Sequence, residues 1–155
     1  MEDLRKILTE QPFLAKLDEK HIQLLVGCAS NVVFKEGEYI FREGQPADSF
    51  YIVRHGKVMV ETFIPQKGPL VIDSLEVGDI LGWSWLLSPY RWHFDARVSV
   101  ETRAIAFDGK CLRAKLEDDH DLGFELMKRF ASVISERLEA TRLQLMDVYG
   151  AYSKK

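Results

Sequence analysis

The chain is 155 residues long, 46% hydrophobic and 29% charged, with a formal net charge of -3. That length suits one domain, the composition argues against a disordered tail, and the excess of acid excludes nucleic-acid binding through the surface as a whole. No apolar run approaches the ~18 residues of a membrane span and the first residues are too charged for a secretion signal, so a cytoplasmic location is expected. The two cysteines, Cys28 and Cys111, have no neighbours at metal-ligand spacing, and the expectation is two reduced, mostly buried thiols.

In chain order, Leu4, Ile7 and Leu8 share one helical face. Pro12 interrupts, Phe13, Leu14 and Leu17 follow, and Asp18 is placed to cap a second helix through His21, Ile22, Leu24 and Leu25. From Asn31 the texture becomes β: "NVVFKEGEYIFREGQPADSFYIVRHGKVMVETFI" is rich in Val, Ile, Phe and Tyr. Gly37, Gly44, Gly56, Gly68 and Gly78 recur at strand-plus-turn intervals, the pattern of a sandwich or barrel. "EGQPAD" is a turn cluster. A second β block, "PLVIDSLEVGDILG", precedes the loop of residues 78–98, and a third, "ARVSVETRAIAF", follows it. In the third, Ala96, Val98 and Val100 alternate with Arg97, Ser99 and Glu101, as in a half-buried strand.

From Asp108 the sequence turns helical, first as a short helix with a charged bend, then as a long proline-free helix to about Tyr149. Met127, Ala131, Ile134, Leu138, Thr141, Leu145, Val148 and Tyr152 form an a/d seam there, sustained for roughly three and a half heptads. Phe130 and Val133 widen the stripe near its start. The pattern predicts packing on the β body first and then on a second copy of the same helix, giving a homodimer; a helix lying wholly on its own barrel is the alternative.

This order of helices, glycine-marked β roll, loop-helix and long terminal helix resembles the cyclic nucleotide-binding domain family, which includes catabolite activators and protein kinase A regulatory subunits. "EGEYIFREGQPADSFYIVRHGKVMV" resembles that family's leading strands, and "LEVGDILGWSWLL" stands where it carries a phosphate-binding cassette. The resemblance implies one α+β, mainly β domain: a double-stranded β-helix jelly roll with N-terminal helices at 1–29, a roll at 30–107 holding the cassette 78–98, and C-terminal helices at 108–150.

In such a cassette, backbone N–H groups at the start of a short helix converge on an anion, and the helix dipole assists. Gly82 permits close approach, and Ser84 offers a hydroxyl. The resemblance also implies two departures. The glutamate that meets the ribose in the family is Trp83 here, a donor-only indole, and the phosphate-binding arginine is Phe94, followed by Asp95. Losing a buried charge-assisted pair costs on the order of 2–5 kcal/mol, roughly 30-fold to several-thousand-fold in affinity. Arg97, on the same strand face as Asp95, is a candidate either to reach the anion or to neutralise Asp95. Arg91 and His93 are further candidates. Trp83, Trp85 and Trp92 serve as core, as a stacking wall for a flat ligand, or as a plug, with Trp83 the residue at the ribose position. By resemblance, Thr141 stands where a hydroxyl residue meets the base across the dimer.

No catalytic constellation is visible. His21, His55, His93 and His120 are scattered, which also weighs against haem or metal sensing through His93 or a cysteine. No helix-turn-helix follows the long helix, so no DNA binding by this chain alone, no membrane association and no cofactor are expected. The expected activity is that of a stand-alone, non-enzymatic sensor that binds a cyclic nucleotide weakly, or another small anionic or aromatic ligand, and signals to a protein partner that the sequence does not identify. The alternative is a ligandless dimeric scaffold or protein-interaction module.

Overall fold

A computed structural model describes residues 3–153, the side chains of 151–153 excepted. The chain divides into two compact units between Asp119 and His120. In the first, α1 (Leu4–Thr9), a 3-10 turn (Pro12–Leu14) and α2 (Glu19–Val26) precede the strands β1 (Ala29–Phe34), β2 (Tyr39–Phe41), β3 (Ser49–Ile64), β4 (Gly68–Leu75), β5 (Ile80–Leu81) and β6 (Asp95–Asp108). A second 3-10 turn (Ser84–Leu86) interrupts the strands, and α3 (Gly109–Asp118) follows them. Asp18 takes the N-cap position of α2, but its side chain makes no capping hydrogen bond; its carbonyl accepts from the His21 and Ile22 N–H groups instead.

The strands form one antiparallel sheet in the order β1-β6-β3-β4, with β2 also paired to β6 and β5 to β3. This is the jelly roll that the glycine-punctuated strands predict. Its axis is the β3–β6 pair, which runs from Ser49↔Asp108 to Glu61↔Asp95. Strand β3 is dense in β-branched and aromatic residues suited to a pleated, half-buried surface. Phe50, Ile52, Val58 and Val60 are buried along it.

Three register shifts break the ladder between Val53 and Val58, around Gly56. Gly56 therefore lies within a strand rather than in a turn between strands. It adopts φ +104, and a Cβ there would stand 2.5 Å from the Glu101 carbonyl oxygen and the Thr102 hydroxyl. Thr102 ties the kink, accepting from the Lys57 N–H at 3.1 Å while its hydroxyl donates to the Val100 carbonyl at 2.8 Å. The shift also explains a departure from simple alternation: Ala96 and Val98 are buried, whereas Val100 is exposed and Thr102 takes the inward place.

The expectation of free thiols is overturned. Cys28 and Cys111, 83 residues apart, are joined in a disulfide with a Cα–Cα separation of 5.8 Å. The end of β6 returns beside the start of β1, where the Asp108 N–H donates to the Cys28 carbonyl at 2.9 Å. Asp108 then caps α3 by accepting from the Lys110 and Cys111 N–H groups, which fixes Cys111 in the first turn.

The second unit is α4 (His120–Ser153), a single helix. Leu122, Leu126 and Phe130 are buried, whereas Met127, Leu138, Leu145 and Val148 of the predicted seam are exposed. Ala131 and Thr141 are exposed as well and Ile134 is half-buried; the Tyr152 side chain lies outside the described residues.

Gly56→Ala is expected to destabilise the domain by about 2–4 kcal/mol, combining a disfavoured φ with a backbone clash. Urea denaturation checks this: the midpoint should fall with the slope unchanged.

Candidate functional site

Strand β5 delivers the cassette by pairing with β3 through Tyr51↔Leu81 and Ile52↔Ile80. The chain then turns at Gly82, at φ +96. Here the glycine is required by close approach: a Cβ would lie 2.5 Å from the six-membered ring of Trp92. Trp92 is only 4% exposed and belongs to the core of the roll with Val53, Val58, Val60, Leu81 and Ala96. Its indole stacks on Phe41, with ring centroids 3.7 Å apart and planes 6° from parallel. Of the three indoles, Trp92 rather than Trp83 packs in this part of the core. Trp83 is half-buried and sits edge-on to Phe94 at 6.3 Å. Trp85 is fully buried on Phe50 at 5.0 Å, and Phe50 stacks in turn on Phe107 at 4.4 Å. Such pairs add about 0.5–1.5 kcal/mol each beyond their burial.

The helix expected after Gly82 is a single 3-10 turn, Ser84–Leu86, and Ser84 is buried. A turn this short has a far smaller dipole than a full helix.

Arg97 does not pair with Asp95. Its guanidinium forks onto Glu61, with Nη2 donating to Oε2 at 2.8 Å and Nε to Oε1 at 3.1 Å. Glu61 is 1% exposed. Its hydrogen bonds and charge hold the Arg97 pKa above the ordinary arginine value. Asp95 is also buried, and its carboxylate accepts from the Glu43 N–H at 2.7 Å and lies 3.5 Å from Arg42 Nε. Arg42 lies over the Tyr39 ring at 4.0 Å. Both buried carboxylates thus have cationic side chains beside them, Arg97 on β6 and Arg42 just past β2, and Phe94 packs against the core.

The remaining candidates are placed elsewhere. His93 is exposed, and Arg91 is exposed with Nη1 donating to the Gly44 carbonyl at 3.1 Å. Thr141 lies on α4, where its hydroxyl donates to the Arg137 carbonyl at 2.8 Å. Of the predicted residues, the structure gathers Gly82, Trp83, Ser84 and Trp85 around the turn, with Arg97 engaged on the sheet.

Sequence reasoning missed Arg113 of α3. It donates to the Trp85 carbonyl at 2.6 Å, lies 4.2 Å over the Tyr90 ring and stands 3.6 Å from Asp48. It clasps both ends of the cassette turn to α3. A second tie laces the cassette to the "EGQPAD" loop. The Ala47 N–H donates to the Tyr90 carbonyl at 2.7 Å, the Trp92 N–H to the Gln45 carbonyl at 3.0 Å, and the Gly44 N–H to the Trp92 carbonyl at 2.8 Å. Among the described residues no cluster of three metal-ligating side chains occurs, and no helix is long and apolar enough to cross a membrane.

A jelly roll carrying a glycine-turn cassette between its fifth and sixth strands, followed by helices, defines a ligand-sensing β-roll class. The family profile described as "Cyclic nucleotide-binding domain" matches residues 31–119, and the chain belongs to that family. It is 25% identical over 143 residues to the CRP-like cAMP-activated global transcriptional regulator of Mycobacterium tuberculosis, covering 92% of this chain and 62% of that protein. It is 30% identical over 88 residues to human cGMP-dependent protein kinase 2, covering 56% of this chain and 12% of the kinase. The chain thus spans less than two thirds of these relatives. Among solved structures, a candidate cyclic nucleotide-binding protein from Geobacter metallireducens superposes with a TM-score of 0.78 at 25% identity, covering 89% of this chain and 99% of that one. The cAMP-bound regulatory domain of Toxoplasma gondii protein kinase A superposes with a TM-score of 0.71 at 19% identity, covering 86% of this chain and 49% of that one.

Arg97→Ala leaves Glu61 buried and unpaired and is expected to cost about 3 kcal/mol, at the low end for a buried pair because Arg97 is partly solvated. The double variant Glu61→Ala/Arg97→Ala should cost less than Arg97→Ala alone. A double-mutant cycle by chemical denaturation measures both.

Proposed function

We propose that this chain is a non-enzymatic regulatory sensor domain of the cytosol that binds cyclic nucleotides weakly, because Trp92 competes with the ligand for the interior of the roll. The observation that carries the reading is the Trp92 indole seated against Gly82 and stacked on Phe41. Gly82 is the residue whose bare backbone would otherwise meet the phosphate. Support for ligand sensing comes from the family and from relatives that are cAMP-activated or cGMP-dependent regulators. Support for weakness comes from Phe94 at the arginine's place and from Arg97 being committed to Glu61. A nucleotide entering this roll displaces an indole and finds Arg97 already committed to Glu61, so its affinity is lowered twice.

A second reading is the ligandless scaffold, in which Trp92 stays in place permanently. It is favoured by how fully the buried charges are already paired. The two readings separate in a calorimetric titration of cyclic AMP and cyclic GMP with wild-type protein and Trp92→Leu. Weak saturable binding that tightens at least about tenfold in Trp92→Leu is expected for the sensor. No heat from either protein at millimolar ligand would leave the scaffold.

The homodimer belongs to the same proposal, through the seam of α4. Leu138 is 68% exposed, and Leu145 and Val148 are also exposed at a/d spacing. A second copy of the helix covers such a stripe in register, with Thr141 as the polar position between the two. Leu138→Glu should convert dimer to monomer in sedimentation velocity; an unchanged mass would count against the seam.

A further inference from the structure

We propose that the Cys28–Cys111 disulfide is a thiol–disulfide exchange site for a dithiol reductant, and that its reduction loosens the grip of α3 on the cassette. The bond uses both of the chain's cysteines. Cys28 is buried, while Cys111 is half-exposed in the first turn of α3. On the Cys28 side, an open cavity of about 400 Å³ is lined by Cys28, Ser30, Asp48, Ser49, Asp108 and Lys110. The half-exposure of Cys111 and the cavity beside Cys28 give a reagent two directions of approach to the bond.

The exchange balances in two steps. A thiolate of the dithiol attacks Sγ of Cys111, the more exposed of the two residues. The S–S bond breaks, and its electron pair leaves with Sγ of Cys28, which takes up a proton. The reductant's second thiolate then attacks its own sulfur in the mixed disulfide, closing the reductant's disulfide. Cys111 leaves as a thiolate and is protonated. Two electrons pass from dithiol to protein, and the oxidised dithiol reverses the sequence.

Reduction unlocks without unfolding, because the same elements keep other ties. Lys115 Nζ donates to the Leu24 carbonyl at 2.7 Å, and the Asp108 N–H donates to the Cys28 carbonyl. The consequence reaches the cassette because Cys111 and Arg113 are two residues apart on α3, and Arg113 holds the Trp85 carbonyl and the Tyr90 ring. In a reducing cytosol a bond so placed is expected to cycle. The inference does not depend on any ligand entering the roll.

The test uses the full chain in 10 mM dithiothreitol (about that of standard reducing buffers) without denaturant, with maleimide labelling, mass spectrometry and hydrogen exchange. Both cysteines should become labelled together, and oxidised dithiothreitol should restore the bond. Amides of residues 109–118 and 85–90 should exchange roughly tenfold faster after reduction, with those of 50–53 unchanged. Cys28→Ser/Cys111→Ser should reproduce that pattern. Labelling only in urea would make the bond structural, and labelling before any reductant would mean the bond is absent. Unchanged exchange in the cassette, or a uniform rise that includes β3, would remove the coupling. Each of these outcomes overturns the proposal.

Discussion

The long antiparallel pairing of β3 with β6 is the constraint on which the rest of the molecule depends. Every other strand is attached to one of these two. The ladder kinks at Gly56, where register is lost and regained. That kink interrupts the inward alternation of β6: Val100 turns out, while Thr102 keeps the inward side with Ala96 and Val98. Upstream of it, the same pairing sets Ala96 opposite Val60 and Asp95 opposite Glu61, so the floor of the cassette is fixed by strand register rather than by the loop itself.

On that floor the charges are largely spoken for. Two buried carboxylates would be intolerable alone, since an unpaired buried charge is costly. Glu61 takes Arg97, and Asp95 takes a backbone N–H with Arg42 nearby. These pairings leave an interior that is electrically quiet and filled by aromatic rings. An apolar interior suits an indole better than a phosphate, and the Phe41–Trp92 stack is the outcome.

How much of this was legible in the sequence follows from the range of each interaction. The β texture, the two N-terminal helices and the short α3 could be read, because periodicity and turn residues act over a few neighbours, although Gly56 lies inside β3 rather than between strands. The candidate status of the tryptophans was legible too. Which indole fills the roll was not, because that depends on where Phe41 and Gly82 meet residue 92 in space. Arg97 was weighed against Asp95, two residues away, yet its partner is Glu61, 36 residues earlier and brought across by strand pairing. The disulfide spans 83 residues, from Cys28 to Cys111, and the Arg113 clasp 28, from Trp85 to Arg113. Spacing along the chain carries no trace of such long-range meetings.

The three backbone hydrogen bonds between residues 44–47 and 90–92 make two distant loops into one mechanical leaf. Each bond contributes only about 0.5–1.5 kcal/mol, but they share the same short stretch of main chain and must open together. Trp92 cannot swing out of the roll alone. It carries the "EGQPAD" segment with it, and with that segment Asp48, which faces Arg113 of α3. The indole, the turn and the helix after the roll are in this way geared to a common motion.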